Sequence, residues 1–252
     1  MCRCARVWCA IVSEPGFLSA TRAAYDTVAA SYARLLADAL ADNPYDRAVL
    51  GLYAELVRAR VARVPGAQTG PRSGSGPGSG RARVVEVGCG AGRITAHLTS
   101  LGLAARGIDL SPAMVGEARR RHPGIGFEVG SMTSLELPAG GLDGLVAWYS
   151  VIHVPPSRHR SVYAGFHRVL APGGLVLLAF QCGQERARLR EAYGHGGLEL
   201  DGYRLVPARV EEDLAACGFE LVTRLVREPV GAEASEQAYL VARALAPVTA
   251  AG

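Results

Sequence analysis

From residue 81 onward, strand and helix signals take turns, and no other feature limits the possible folds as much. Strand signals fall at 82–87, 104–109, 125–129, 142–149 and 174–180, and helical signals at 91–101, 111–121 and 157–170. Strands separated by helices predict a parallel sheet with both faces covered, because each crossover must bury its apolar stripe against the strands. Ser111-Pro112 is a good helix start: a capping hydroxyl precedes the one residue whose missing N–H costs nothing in a first turn. Residues 207–217 read as another helix, which stops at Gly218. Two strands follow at 219–227 and 236–244, joined by a short loop holding Pro229 and Gly231.

The remainder of the 252 residues is arranged around this domain, 81–246. Residues 20–64 read as an N-terminal helical cap. Val28, Leu35, Leu36 and Leu40 recur at helical spacing, Asn43-Pro44 interrupts, and Leu50, Tyr53, Leu56 and Val57 form the next apolar face. Residues 65–80, "PGAQTGPRSGSGPGSG", read as a flexible Gly/Ser/Pro linker. Residues 1–19 read as a disordered leader. Between 181 and 206 the order relaxes into a lid-like insertion within the domain.

Cysteine, charge and hydropathy exclude several classes. Cys2, Cys4 and Cys9 crowd the leader while Cys89, Cys182 and Cys217 lie far apart, which is no disulfide framework. No fourth ligand stands near the first three, so no metal site is expected. Arg3 and Arg6 precede too short an apolar stretch for a secretory signal, and no run approaches the ~20 apolar residues of a membrane span. A reduced, cytoplasmic protein without membrane contact is expected. The net charge of +4 comes without a basic block, which argues against a nucleic-acid partner. All 27 basic residues are Arg. A Walker-type phosphate lysine, a Schiff-base lysine and a Tyr/Lys dehydrogenase pair are thereby excluded.

The stretch "VVEVGCGAGRITAHL", residues 84–98, ends an apolar strand on an acid and then places Gly88, Gly90 and Gly92 at alternate positions. In an open α/β sheet a ligand sits beyond the carboxyl ends of the strands, next to such a turn. Asp109 ends the next strand, 21 residues after Gly88, where an acid can accept from both hydroxyls of a ribose. Tight helix packing also selects glycine, and an acid there can be a helix cap; the two features together point to a nucleoside. A dinucleotide fingerprint G-x-G-x-x-G needs glycine at 93 or 95, and these are Arg93 and Thr95. Glu86, two residues before the first glycine, suits a cationic amino-acid end better than a pyrophosphate.

These residues resemble the class I methyltransferases that use S-adenosylmethionine. Glu86-Val-Gly88-Cys-Gly90-Ala-Gly92 is similar to their E/D-x-G-x-G-x-G motif, "GIDLSPAMVGEARRR" to the segment that holds the ribose, and "FHRVLAPGGLVLLAF" to their helix and Pro-Gly-Gly turn into strand five. The resemblance spans residues 81–244. It implies an α/β, Rossmann-like doubly wound fold with a mostly parallel seven-stranded sheet and an antiparallel C-terminal strand. It implies S-adenosylmethionine as cofactor, with Glu86 near the methionine amino group, Gly88 and Gly90 along the methionine-to-ribose stretch and Asp109 on the ribose. Many members have Gly-Asp after strand three. This chain has Gly130-Ser131-Met132, so Ser131 would replace the acid at the adenine amino group, more weakly, and Met132 would pack on the adenine or serve the core. Trp148, Tyr149 and Ser150, ending strand four, would stand nearest the methionine portion, where aromatic faces suit a sulfonium, or the aromatic residues simply pack. Tyr25 and Tyr32 resemble tyrosines on the leading helix that covers the cofactor, or pack as ordinary helix residues.

An oxygen or nitrogen acceptor sheds a proton on methylation, and a positioned base can take it. His153 follows strand four where an acceptor would approach, and His195 lies in the insertion; they are the candidate catalytic residues, and either can instead be a structural donor. The acceptor is expected to be a small molecule, O- or N-methylated by in-line transfer, on a monomer or homodimer. A nucleotide-dependent oxidoreductase and a non-catalytic cofactor-binding module remain as alternatives.

Overall fold

The computed structural model describes residues 15–63 and 80–246. Two helices come first, α1 (Gly16–Leu35) and α2 (Pro44–Arg63). Then strands and helices alternate as β1 (Arg83–Val87), α3 (Arg93–Ser100), β2 (Ala104–Asp109), α4 (Pro112–Arg121), β3 (Phe127–Val129), β4 (Leu142–Trp148), α5 (His159–Val169) and β5 (Leu170–Gln181). A hairpin of β6 (Arg186–Ala192) and β7 (His195–Tyr203) precedes α6 (Pro207–Ala216), β8 (Phe219–Arg227) and β9 (Gln237–Ala244). Seven strands form one sheet in the order β3-β2-β1-β4-β5-β9-β8, and β9 runs antiparallel to both neighbours. The strand order reverses direction between β1 and β4, so a crevice opens beyond their carboxyl ends.

The centre of the sheet is dry on both faces. All seven residues of β4 are buried, as expected where helices cover a parallel sheet on each side. On one face Val85, Leu145 and Val176 pack with Phe166 of α5 and Leu214 of α6. On the other, Val84, Val146 and Leu177 meet Ile94 and Leu98 of α3 and Leu50, Tyr53 and Val57 of α2. The second N-terminal helix is therefore part of the domain's own layer rather than a cap over it. Its wholly buried Tyr53 hydroxyl points to the carbonyl oxygens of Leu145 (3.2 Å) and Leu175 (3.1 Å). Gly144 makes the space, since a Cβ there would lie 2.2 Å from the Tyr53 oxygen.

Helix α1 does the covering. Ala24, Val28 and Ala29 pack with Met114 of α4 and with Leu198 and Leu200 of β7. Asp26 accepts from the Ser111 hydroxyl (2.5 Å) and the Ala113 N–H (3.1 Å), which anchors α1 over the start of α4. The first helix begins inside the leader expected at 1–19. Residues 1–14, with Cys2, Cys4 and Cys9, lie outside the described residues, but Gly16 already opens α1 and Leu18 is buried. An opening through Pro15-Gly16, two poor helix formers, hid this start. Of the expected linker, only Gly80 is described.

The 181–206 insertion is ordered. Ala192 pairs with His195 across a two-residue turn in which Tyr193 (φ 54°) and Gly194 (φ 79°) both adopt the left-handed conformation that suits the twist of a tight hairpin. Strand β6, "RARLREA", is exposed along nearly its whole length, so it lacks the apolar alternation by which strands are read. No described helix is long and apolar enough to cross a membrane, and no cluster of His, Cys, Asp and Glu among the described residues could hold a metal.

Candidate active site

The glycine turn begins where β1 ends. Gly88 (φ 71°) and Gly90 (φ 52°) sit in the left-handed region that costs an L-residue ~1–2 kcal/mol. Space is short as well: a Cβ at Gly88 would fall 2.4 Å from the Ser150 Cβ, and one at Gly90 would fall 3.3 Å from the Tyr32 ring. Four backbone N–H groups of the turn are spent inside the protein. Those of Gly88 and Cys89 reach the Ile108 carbonyl (2.7 and 3.1 Å), that of Gly90 the Asp109 carboxylate (2.7 Å), and that of Gly92 the Cys89 carbonyl (3.0 Å). Asp109 also accepts from the Ser111 N–H (2.8 Å). It therefore ties the β1 turn to the end of β2, and acceptor capacity remains on its two oxygens for hydroxyl donors. With these four N–H groups turned inward, the turn is poorly suited to cradle a pyrophosphate.

Two buried carboxyls lie here, and burial governs both. Desolvation raises Asp109 to about 6, against the pull of its N–H partners. Glu86, 2% exposed, is raised by burial to about 8; the Thr95 hydroxyl donated to it and the nearby charge of Arg93 oppose that rise. In the absence of a ligand Glu86 is mostly protonated at pH 7. A cation brought close would restore its charge.

A cleft opens over the turn. Tyr25, Tyr32, Gly88, Gly90, Asp109, Ser131, Met132, Trp148, Tyr149 and His153 all line it. Glu86 does not; it lies beneath the turn against Thr95. His195 does not either, for it starts β7 opposite Ala192, at the turn of the hairpin. A second space of about 1550 Å³, open to solvent, adjoins the first and is also lined by Tyr25, Tyr32, Trp148, Tyr149 and His153. Those five side chains form the wall between the two.

The wall is braced from behind. His153 Nδ1 lies 2.8 Å from the Asp201 carbonyl, which only accepts, so Nδ1 carries the proton. In the neutral ring Nε2 then accepts, and the Tyr25 hydroxyl donates to it over 2.7 Å. Burial lowers the pKa of His153, outweighing the opposing pull of the Asp201 carbonyl, and raises that of Tyr25. Both groups are neutral near pH 7. Tyr149 takes a left-handed conformation (φ 50°), unusual for an aromatic residue. Its hydroxyl donates to that of Tyr239 (3.3 Å), which donates to Asp46 (2.8 Å) and accepts from Arg227 (3.2 Å). The Ser131 hydroxyl is engaged with Thr133, as partner of its hydroxyl (2.8 Å) and acceptor of its N–H (3.2 Å).

Residues that the sequence did not single out complete the site. Leu18, Thr21 and Arg22 line the first cavity, and Arg93, Tyr193 and Tyr203 the second. Ser150 joins the two strand ends by donating to the Val87 carbonyl (2.7 Å). Arg93 stands inside the glycine motif and could have been found there. Nothing local marks the hairpin residues, whose role depends on where the hairpin folds back.

Residues 84–174 match a family model described as a methyltransferase domain. Trans-aconitate 2-methyltransferase of Methylobacterium nodulans is 41% identical over 97 residues, covering 38% of this chain and 36% of that protein. An uncharacterized methyltransferase of Synechocystis is 30% identical over 96 residues, covering 38% and 45%. The matched region thus spans less than half the length of these relatives. Among solved structures, DhpI in complex with SAH (TM-score 0.63, 20% identity, 92% of this chain and 99% of that one) shares the fold. So does magnesium protoporphyrin IX methyltransferase of Synechocystis with bound SAM (0.60, 15%, 92% and 99%). Residues 84–174 thus match a methyltransferase domain, within a chain that shares its fold with solved S-adenosylmethionine-dependent methyltransferases.

Proposed function

We propose that the chain transfers a methyl group from S-adenosylmethionine to a small-molecule acceptor. The observation that carries this reading is the shared wall: a cavity built on the glycine turn and Asp109 meets a second cavity across Tyr25, Tyr32, Trp148, Tyr149 and His153. The residues present fit such a donor. Asp109 stands on the first cavity with acceptor capacity left for ribose hydroxyls, and the missing side chains at Gly88 and Gly90 let a ligand lie against the backbone. Glu86 lies below, held protonated by burial and ready to ionise beside an ammonium group. Ser131 and Met132 are the candidate adenine contacts, Trp148 and Tyr149 the candidate sulfonium contacts. The spent N–H groups of the turn weigh against a dinucleotide and so against an oxidoreductase.

S-adenosylmethionine supplies an activated methyl group on a sulfonium whose departure leaves a neutral thioether. The protein's part is then alignment, exclusion of water and removal of a proton. Tyr25 faces both cavities and donates to His153. An acceptor O–H or N–H that donates to the Tyr25 oxygen can pass its proton there as the Tyr25 proton moves to His153 Nε2. The acceptor's lone pair is freed to form the new bond, and the imidazolium keeps its Nδ1–H on the Asp201 carbonyl. The hairpin that supplies this carbonyl and α1 each line part of the second cavity.

Incubation with S-adenosylmethionine and extracts fractionated by size tests the reading. Methyl gain is expected in the small-molecule fraction; gain confined to protein or nucleic acid would overturn the acceptor class. Binding of the cofactor with no methyl gain in any fraction would favour a non-catalytic binding module.

A further inference from the structure

We propose that Tyr239 and Arg227, which line neither cavity, are positioning residues for methyl transfer: as one unit they hold Tyr149 on the shared wall and the loop of residues 228–236 along the larger cavity. The inference rests on the methyltransferase reading for the meaning of that wall. It starts from Tyr149. An aromatic residue at φ 50° keeps that conformation only where its surroundings over-determine it. Three contacts do so. The Tyr149 N–H reaches the Ala179 carbonyl (2.9 Å), its ring meets that of Trp148 edge-on at 5.8 Å, and its hydroxyl donates to Tyr239 (3.3 Å). The last contact commits the hydroxyl proton to a residue outside both cavities. Tyr239 is 1% exposed, and its ring lies 5.5 Å from that of Trp148, so it touches both wall residues at the end of β4. Its own hydroxyl is filled. It donates to Asp46 of α2 and accepts from Tyr149 and from Arg227 Nε.

Arg227 carries the link onward. It ends β8, and its side chain is 5% exposed. Nη1 and Nη2 donate to the two carboxylate oxygens of Glu233 (2.5 and 2.7 Å), and Nη1 also to the Glu228 carbonyl (3.0 Å). Such a two-pronged pair fixes orientation as well as distance. Glu233 also accepts from the Val230 N–H (2.8 Å), which closes the loop on itself, and Ala232, Glu233, Ala234 and Ser235 line the larger cavity. The guanidinium stands 5.2 Å over the ring of Tyr45 at the start of α2. A buried ion pair is a weak source of stability. What this one fixes is geometry: a single cation joins the wall between the cavities to the loop beside the acceptor.

Fluorine NMR of the full chain with 3-fluorotyrosine at position 149 reads the wall without an acceptor. With S-adenosylhomocysteine bound, the wild type should give one narrow line. Tyr239→Phe, which keeps the ring, and Arg227→Gln should split or broaden it, as Tyr149 gains a second position. A single narrow line in Tyr239→Phe would overturn the proposal. Tritiated S-adenosylmethionine with the small-molecule fraction of the extract reads the reaction. Tyr149→Phe and Tyr239→Phe should each lower the saturated rate about tenfold, the usual scale of one lost hydrogen bond, and the double variant should lose no more, because both act through one bond. Glu233→Gln should mainly raise the amount of fraction needed for half-maximal rate, and Arg227→Gln should do both. Losses that multiply in the double variant, or a fall in S-adenosylhomocysteine affinity as large as the fall in rate, would leave Tyr239 a purely structural role and overturn the proposal. A wild type that transfers no methyl group would defeat the methyltransferase reading itself, and the fluorine line would still decide whether Tyr239 and Arg227 hold Tyr149.

Discussion

The two cavities are built in different ways. The one over the glycine turn rests on backbone: N–H groups of the β1 turn reach the end of β2 and Asp109, and Ser150 ties β4 to β1. Its positions are set by the sheet, the most deeply buried part of the molecule. The larger cavity rests on side chains from α1, the glycine motif's own Arg93, and a hairpin whose first strand is almost wholly exposed. Its key contact joins residues 128 positions apart, Tyr25 and His153. A fixed donor site beside a cover of separate elements lets the acceptor change while the donor chemistry stays, because the cover carries few of the sheet's constraints.

That contrast can be broken at the wall. His153→Ala should slow methyl transfer by about 10²–10⁴-fold, the usual worth of a positioned base, while leaving S-adenosylhomocysteine affinity within about threefold. Tyr25→Phe should lose a similar share of rate. In the wild type the rate should rise with pH as His153 loses its proton and level off above, with the step below the ordinary ~6.5 because burial lowers this histidine. Steady-state rates at saturating donor between pH 5 and 9 would show it. An unchanged profile in His153→Ala would mean that the proton leaves by another route.

On the donor side, Asp109→Ala should weaken S-adenosylhomocysteine binding by ~1.5–3 kcal/mol, the range for hydrogen bonds to a charged group, without changing acceptor KM in the same proportion. Calorimetry on the folded variant would decide, and unchanged affinity would remove Asp109 from the site. A smaller effect should come from Glu86. If the donor's ammonium binds above the ionised carboxylate, affinity should rise as pH rises through about 8, roughly tenfold from pH 7 to 9, and Glu86→Gln should flatten that rise. Its contribution to stability has the opposite sign. An acid whose pKa is raised on folding favours the native state when protonated, so stability should fall as pH climbs from the unfolded value, near ~4.3, towards 8. Smallest of all, Tyr193→Ala at the hairpin turn, whose ring meets Tyr32 edge-on at 4.9 Å, should raise acceptor KM a few-fold and leave donor affinity alone.

The same division explains what the sequence could tell. The alternation of strands and helices, the glycine turn and Asp109 at the end of β2 were legible because they depend on periodicity and on residues a few positions apart, whereas the antiparallel C-terminal strand came from the family resemblance. The hairpin was not legible, since "RARLREA" hides a solvent-facing strand among charges and the turn uses Tyr193-Gly194 instead of a common hairpin pair. His195 drew attention by its residue type alone and stands at the turn of the hairpin, away from both cavities. The pairing of His153 with Tyr25 was likewise beyond local reading, as was the part of α2 in the sheet's own layer, which rests on Tyr53 fitting over Gly144. Arg93 was read only as a break in a dinucleotide fingerprint; its place on the larger cavity is visible only in the fold.

The most direct test of the central claim is a calorimetric titration of the unmodified chain with S-adenosylhomocysteine and, separately, with NAD. The turn's inward N–H groups, Asp109 and the buried Glu86 predict saturable one-to-one binding of S-adenosylhomocysteine, with proton release near pH 7 as Glu86 ionises, and no binding of NAD. Binding of NAD without binding of the sulfur nucleoside would contradict the account.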